Sequence, residues 1–188
     1  MKIAITGGIG SGKSYICHLL NSYGITIYDC DAAAKRLMRG SDHLKEMLTR
    51  LIGPDTYHAD GTLNKAEVAQ FLLASEDNAK AIDDIVHPAV ADDFKQSGLH
   101  WMECAILYES GFDRLVDKVI VVTAPQETRI QRIMQRDGIS REKALEWMGR
   151  QLSQEEVRRR ADFEIINDGT KDLNQQIEKI IKQCNRQF

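Results

Sequence analysis

Gly7-Gly8-Ile9-Gly10-Ser11-Gly12-Lys13-Ser14 satisfies every fixed position of the phosphate-binding pattern G-x-x-x-x-G-K-[ST]. Each residue type has a chemical reason to be there. Glycines let the backbone turn tightly and approach a ligand with no side chain in the way. Successive backbone N–H groups can then point into one concavity, and a helix starting there adds the positive end of its dipole. The guest for such a nest is a polyphosphate. Lys13 can reach the β- and γ-phosphates as a point charge, and the Ser14 hydroxyl can hold Mg²⁺.

This chemistry needs a strand before the loop and a helix after it, and the flanks fit. Lys2-Ile3-Ala4-Ile5-Thr6 is a short β-branched run that reads as a buried strand. Tyr15-Ile16-Cys17-His18-Leu19-Leu20 contains no helix breaker, and Gly24 marks a stop. Ile25–Tyr28 reads as a second strand leading into Asp29-Cys30-Asp31. Asp31 precedes the helix-forming run Ala32–Met38, so it is expected to cap that helix. It also stands at the carboxyl end of a strand, where open α/β sheets place their ligands.

Between Gly40 and about Gly98 the pattern turns helical. Segments are expected at 42–52, 65–74, 75–86 and 88–96, with turns at Gly53-Pro54-Asp55 and Ala59–Thr62 and a rigid turn at His87-Pro88. Trp101–Tyr108 reads as the third strand and Lys118–Thr123 as a central one, β-branched and covered on both faces. Phe163–Ile166 reads as the fifth, ending at Asn167-Asp168-Gly169, and an amphipathic helix from Lys171 to about Cys184 closes the chain. Strands separated by helices imply a parallel sheet with right-handed crossovers.

Arg129, Arg132 and Arg136 share one helical face. Phosphoryl transfer needs cations beyond one lysine, which draws Arg132 and Arg136 toward function, whereas Arg158–Arg160 reads as surface. Asp137-Gly138 breaks the helix and a further one runs to about Arg150-Gln151.

Composition excludes several classes. With 188 residues, 43% of them hydrophobic and 28% charged, the chain suits one soluble α/β core with insertions. A net charge of -3 gives no general pull toward nucleic acid. Cys17, Cys30, Cys104 and Cys184 form no C-x-x-C pair, which argues against zinc and a disulfide framework and fits a reducing cytoplasm. The apolar run before Gly7 is too short for a signal peptide, and no run approaches membrane-spanning length.

Taken together, these segments resemble the dephospho-CoA kinase family over nearly the whole length. The resemblance rests on Thr6–Ser14, Asp29-Cys30-Asp31, Asp60–Leu63, His87-Pro88, Gln135-Arg136-Asp137, Ala161-Asp162, and Asn167 with Gly169. The chain departs from the family pattern at Tyr15 (usually Thr), Lys65 (usually Arg) and Ala105 (usually Pro). The resemblance implies a three-layer α/β/α P-loop kinase fold with a five-stranded parallel sheet. A nucleotide-binding core would comprise 1–31, 98–136 and 152–188. A helical insertion at 32–97 would take the CoA substrate, and a lid would span 137–151. It implies transfer of the γ-phosphate of ATP to the ribose 3′-hydroxyl of dephospho-CoA, with Lys13, Asp31, Arg132 and Arg136 catalytic. Gly10, Ser11, Gly12, Lys13, Ser14, Tyr15, Arg136, Arg150 and Asn167 would bind nucleotide, and Ser14 and Asp31 would hold Mg²⁺. A cytoplasmic monomer or weak homo-oligomer is expected, with no nucleic-acid or membrane partner. The alternative is another small-molecule or nucleotide kinase on the same scaffold. A regulatory GTPase would need an N-K-x-D segment, which the sequence lacks.

Overall fold

The computed structural model describes residues 1–185, so the last three residues of the expected core segment 152–188 lie outside the described residues. The chain divides into two compact units: Met1–Tyr28 with the chain from Leu99 onward, and Asp29–Gly98.

The first unit is built on a parallel sheet. Strands β1 (Ile3–Thr6), β2 (Ile27–Asp29), β3 (Trp101–Glu103), β4 (Lys118–Thr123) and β5 (Phe163–Ile166) lie in the order β2-β3-β1-β4-β5. β1 sits between β3 and β4, with Ile5 level with Glu103 on one side and Ile120 on the other. All four residues of β1 are buried, as are the last five of β4, because helices cover both faces. On one face, Ile3, Ile5, Ile120, Val122 and Ile165 meet Ile16, Cys17 and Leu20 of α1 (Lys13–Ser22) and Ile177 and Ile180 of α9 (Leu173–Asn185). On the other, Ala4, Met102, Val119 and Val121 are equally buried.

The second unit is helical: α2 (Cys30–Gly40), α3 (Asp42–Ile52), α4 (Lys65–Ala74) and α5 (Glu76–Gln96), with a short 3-10 turn at Pro54–Thr56. A lone antiparallel bridge joins Tyr57 to Leu63. Ser41, Asn64 and Ser75 cap α3, α4 and α5 by accepting from backbone N–H groups of the first turns. Leu44, Leu48, Val68, Ile82, Val86, Val90 and Phe94 are buried.

Three expectations are corrected. Residues 75–86 and 88–96 are not two helices; α5 runs unbroken through Pro88. Proline removes one intrahelical donor, but Ile82, Val86, Val90 and Phe94 recur every four residues across it, and their shared burial holds the helix together. β3 ends at Glu103 rather than Tyr108. The last ladder bond on this side is Cys104 N–H to Ile5 O at 3.0 Å, since β1 ends at Thr6 and turns into the loop. Beyond it Leu107 buries itself from a turn and Phe112 from a short 3-10 helix (Phe112–Leu115). Finally, Asp31 is not the cap of α2. Asp29 is, its Oδ1 accepting from Ala32 N–H at 2.8 Å, and Asp31 lies exposed within the first turn.

Candidate active site

The loop from Gly7 to Gly12 connects β1 to α1. Gly10 (φ 80°) and Gly12 (φ 89°) occupy left-handed conformations that favour glycine, and Gly12 stands directly before α1. Lys13 is therefore the first residue of a helix whose free N–H groups open toward the loop. Its ammonium pairs with the Glu103 carboxylate, and the Ser14 hydroxyl donates to the same Glu103 Oε1 at 3.3 Å. The Lys13 and Glu103 side chains retain only 12% and 15% of their exposure.

Glu103 has no assigned role in the sequence reading. It belongs to the site because β3 ends beside β1 in a parallel sheet, which brings a carboxylate from the end of one strand to the lysine after the other. An acidic residue inside an otherwise apolar strand-like run was the available signal; neither the strand's end at Glu103 nor which strand neighbours β1 was visible.

A second layer braces the loop from α6 (Gln126–Asp137) and from the end of β5. Arg129 Nε–H donates to Ile9 O at 2.9 Å, and Arg132 Nη1 donates to Gly10 O and Ser11 O at 3.3 and 3.2 Å. Arg132 Nη2 also reaches Asn167 O at 3.1 Å, while Asn167 Nδ2 donates to Ser11 O at 2.9 Å. Gln151 Oε1 accepts from Ile9 N–H at 2.8 Å. This bracing gives the glycines a further reason. A Cβ at Gly8 would stand 2.5 Å from Arg129 Nη2, at Gly10 2.6 Å from Arg129 O, and at Gly12 2.1 Å from Asn167 Nδ2. The loop is thus shaped by what packs against it as well as by its own backbone turns.

The expected site residues fall into groups. Gly10, Ser11, Gly12, Lys13 and Ser14 form the loop and helix start, with Glu103 joined to them. Ser11 is fully buried, and its hydroxyl has no hydrogen-bond partner. Arg132 and Asn167 meet on the loop's carbonyls. Tyr15 projects from α1, 55% exposed. Arg136 is exposed and pairs with its neighbour Asp137; that contact raises the guanidinium pKa and lowers the carboxyl's. Arg150 pairs with Glu146 on the surface. Asp31 belongs to the helical unit.

Residues 137–151 contain α7 (Arg141–Gly149), capped by Ser140 and preceded by Gly138 at φ 65°. Ala144 is buried with Ile130 and Ile133 of α6, and Trp147, Met148 and Ile9 pack around them. Arg141 makes a two-pronged contact with Glu127 at 2.7 and 2.6 Å. The exit of the segment is pinned by Gln151 on Ile9, by Leu152 N–H on Glu109 Oε1 at 3.1 Å, and by Gln154 Oε1, at the start of α8 (Gln154–Arg160), on Ala124 N–H at 3.1 Å.

Loop, lysine and neighbouring carboxylate lie at the carboxyl edge of a parallel sheet covered by helices, and that combination is the working end of a P-loop kinase. Comparison with known proteins narrows the class. The dephospho-CoA kinase family model matches residues 1–172. A dephospho-CoA kinase of Bacteroides fragilis is 40% identical, covering 96% of this chain and 91% of the relative. One of Corynebacterium diphtheriae is 34% identical over 99% and 96%. Among solved structures, TT1252 from Thermus thermophilus superposes with a TM-score of 0.84 at 32% identity, covering 97% of this chain and 96% of that one. The chain belongs to the dephospho-CoA kinase family.

Proposed function

We propose that this chain transfers the γ-phosphate of ATP to the ribose 3′-hydroxyl of dephospho-CoA, giving coenzyme A and ADP, the last step of coenzyme A synthesis. The observation that carries this reading is the family match over residues 1–172, which spans both the phosphate loop and the helical unit.

The chain's residues support the chemistry as follows. Lys13 neutralises the β- and γ-phosphates, which compete with Glu103 for its ammonium, and the loop's N–H groups hold the oxygens. Ser14 Oγ and Glu103 Oε1 form a compact pair of oxygen donors. Among the described residues no cluster of three or more His, Cys, Asp or Glu could hold a metal by itself. It is the Ser14–Glu103 pair that would hold Mg²⁺, a hard cation that takes one or two protein oxygens beside phosphate and water oxygens. Bound there, Mg²⁺ would neutralise charge on the transferring group. Arg132 and Asn167 keep the loop in shape, and Arg136 and Arg150, with the segment 137–151, form a lid that excludes water from ATP. The helical unit takes the CoA substrate, and Asp31 accepts or orients the acceptor hydroxyl proton. All four cysteines are buried thiols, which supports a reducing compartment such as the cytoplasm. Among the described residues no helix is long and apolar enough to cross a membrane.

The test is ATP consumption with and without dephospho-CoA, with the product identified by mass. The expected result is slow turnover alone and fast turnover with acceptor, giving coenzyme A. Equal rates with and without acceptor, or preference for a nucleoside in an acceptor panel, would overturn the reading.

A further inference from the structure

Arg129 is the charged side chain that the fold buries most deeply among the described residues, at 6% exposure. It lies behind the phosphate loop, with Nη2 against Gly8 and Nε–H on Ile9 O. A guanidinium has five N–H donors, and this one uses a single donor on a neutral carbonyl. Its other nitrogens crowd Gly8, and no carboxylate pairs with it among the described residues. Burial alone acts on its pKa, pushing it down. The neighbouring arginines differ. Arg132 shares its donors among several loop and Asn167 oxygens, and Arg136 has Asp137.

A buried charge without a counter-charge is costly, and a carbonyl bolt does not require one, since a neutral donor could hold Ile9 O. The missing counter-charge has an obvious source if the loop holds a polyphosphate. We propose that Arg129 is a positioning residue for the nucleotide. Its buried charge backs the loop and, with Lys13, sets the affinity for the β- and γ-phosphates, while its Nε–H holds the Ile9 carbonyl and Gln151 Oε1 accepts from the Ile9 N–H one peptide earlier. The inference rests on the reading that phosphates occupy Gly7–Ser14.

A charge role and a bolt role predict opposite outcomes. Arg129→Met removes the charge and keeps a side chain of similar length. As a charge role, the ligand-free protein keeps or raises its Tm, because an unpaired buried charge is gone. The Kd for Mg-ATP and for inorganic tripolyphosphate weakens about tenfold or more, as expected for losing a charge screened by a partly polar medium. Adenosine affinity stays constant, and Arg129→Lys recovers most of the Mg-ATP affinity at whatever Tm it has. If the Mg-ATP Kd of Arg129→Met stays within about twofold of the parent, or if Arg129→Lys loses as much affinity as Arg129→Met, the charge role is wrong and Arg129 only bolts Ile9. Lys13→Ala measured alongside separates the two readings. Loss of Mg-ATP affinity there, with none in Arg129→Met, sinks the Arg129 inference alone. Parent-like Mg-ATP affinity in Lys13→Ala sinks the placement of phosphates in the loop, and the Arg129 inference with it.

Discussion

Glu103→Gln tests the carboxylate that completes the site. The substitution preserves shape and hydrogen-bonding capacity and removes one negative charge. Stability comes first. The Lys13 and Glu103 side chains are 12% and 15% exposed, between a surface pair, whose loss costs ~0–1 kcal/mol, and a fully buried one, where removing a partner costs ~3–5 kcal/mol. A cost of about 1–3 kcal/mol follows, or a Tm drop of roughly 3–10 °C for a domain of this size. ATP binding without metal should move the other way. Glu103 no longer competes for the Lys13 ammonium, so metal-free ATP should bind as tightly as to the parent or more tightly. Mg²⁺-dependent turnover should fall at least ~10²-fold, the scale expected when a group organising transition-state charge is lost. Thermal melts, calorimetry of ATP in EDTA and turnover across a Mg²⁺ titration read the three effects separately. Turnover and half-saturating Mg²⁺ equal to the parent would show that Glu103 only pairs with Lys13. Weaker metal-free ATP binding would refute the competition itself.

Asp31→Asn should lower turnover roughly 10²–10⁴-fold while Tm and ATP affinity stay near the parent's, because Asp29 and not Asp31 caps α2; an unchanged rate would remove Asp31 from the chemistry. Gly12→Ala forces a left-handed backbone at about 1–2 kcal/mol and drives Asn167 off Ser11 O at about 1–3 kcal/mol, so a loss of about 2–5 kcal/mol is expected by denaturant melting; parent-like stability would show that Asn167 moves freely. Amide hydrogen exchange across residues 137–151 should slow when a non-hydrolysable ATP analogue binds, and no slowing, with binding confirmed by calorimetry, would dismiss the lid.

The phosphate loop was legible in the sequence because its geometry is local. Eight consecutive residues carry the glycines, the lysine and the hydroxyl, and the adjoining strand and helix lie directly beside them. The same holds for α3 and α4, whose capping side chains and apolar spacing mark their bounds, and for β4, β-branched along its length. Elsewhere local signals misled. Pro88 reads as a break, yet burial of Val86, Val90 and Phe94 against neighbouring helices outweighs one lost hydrogen bond. Asp29 and Asp31 are both credible caps, and the strand's end decides between them. β3 stops at Glu103 because its partner β1 stops, a fact that no window around Trp101–Tyr108 contains.

The site divides in the same way. Sequence by itself determined where the phosphate-binding pattern lies between its strand and its helix, and that an arginine-bearing helix and Asn167 follow. Only the tertiary structure decided that Glu103 pairs with Lys13 across 90 residues, that Asn167 holds Ser11 across 156, and that Arg129 rather than Arg132 or Arg136 is the arginine sealed behind the loop. The physical reason is that a motif's geometry is set by bonds along a few residues. The neighbours of a charge, and so its burial and partner, are set by the order in which strands close into a sheet.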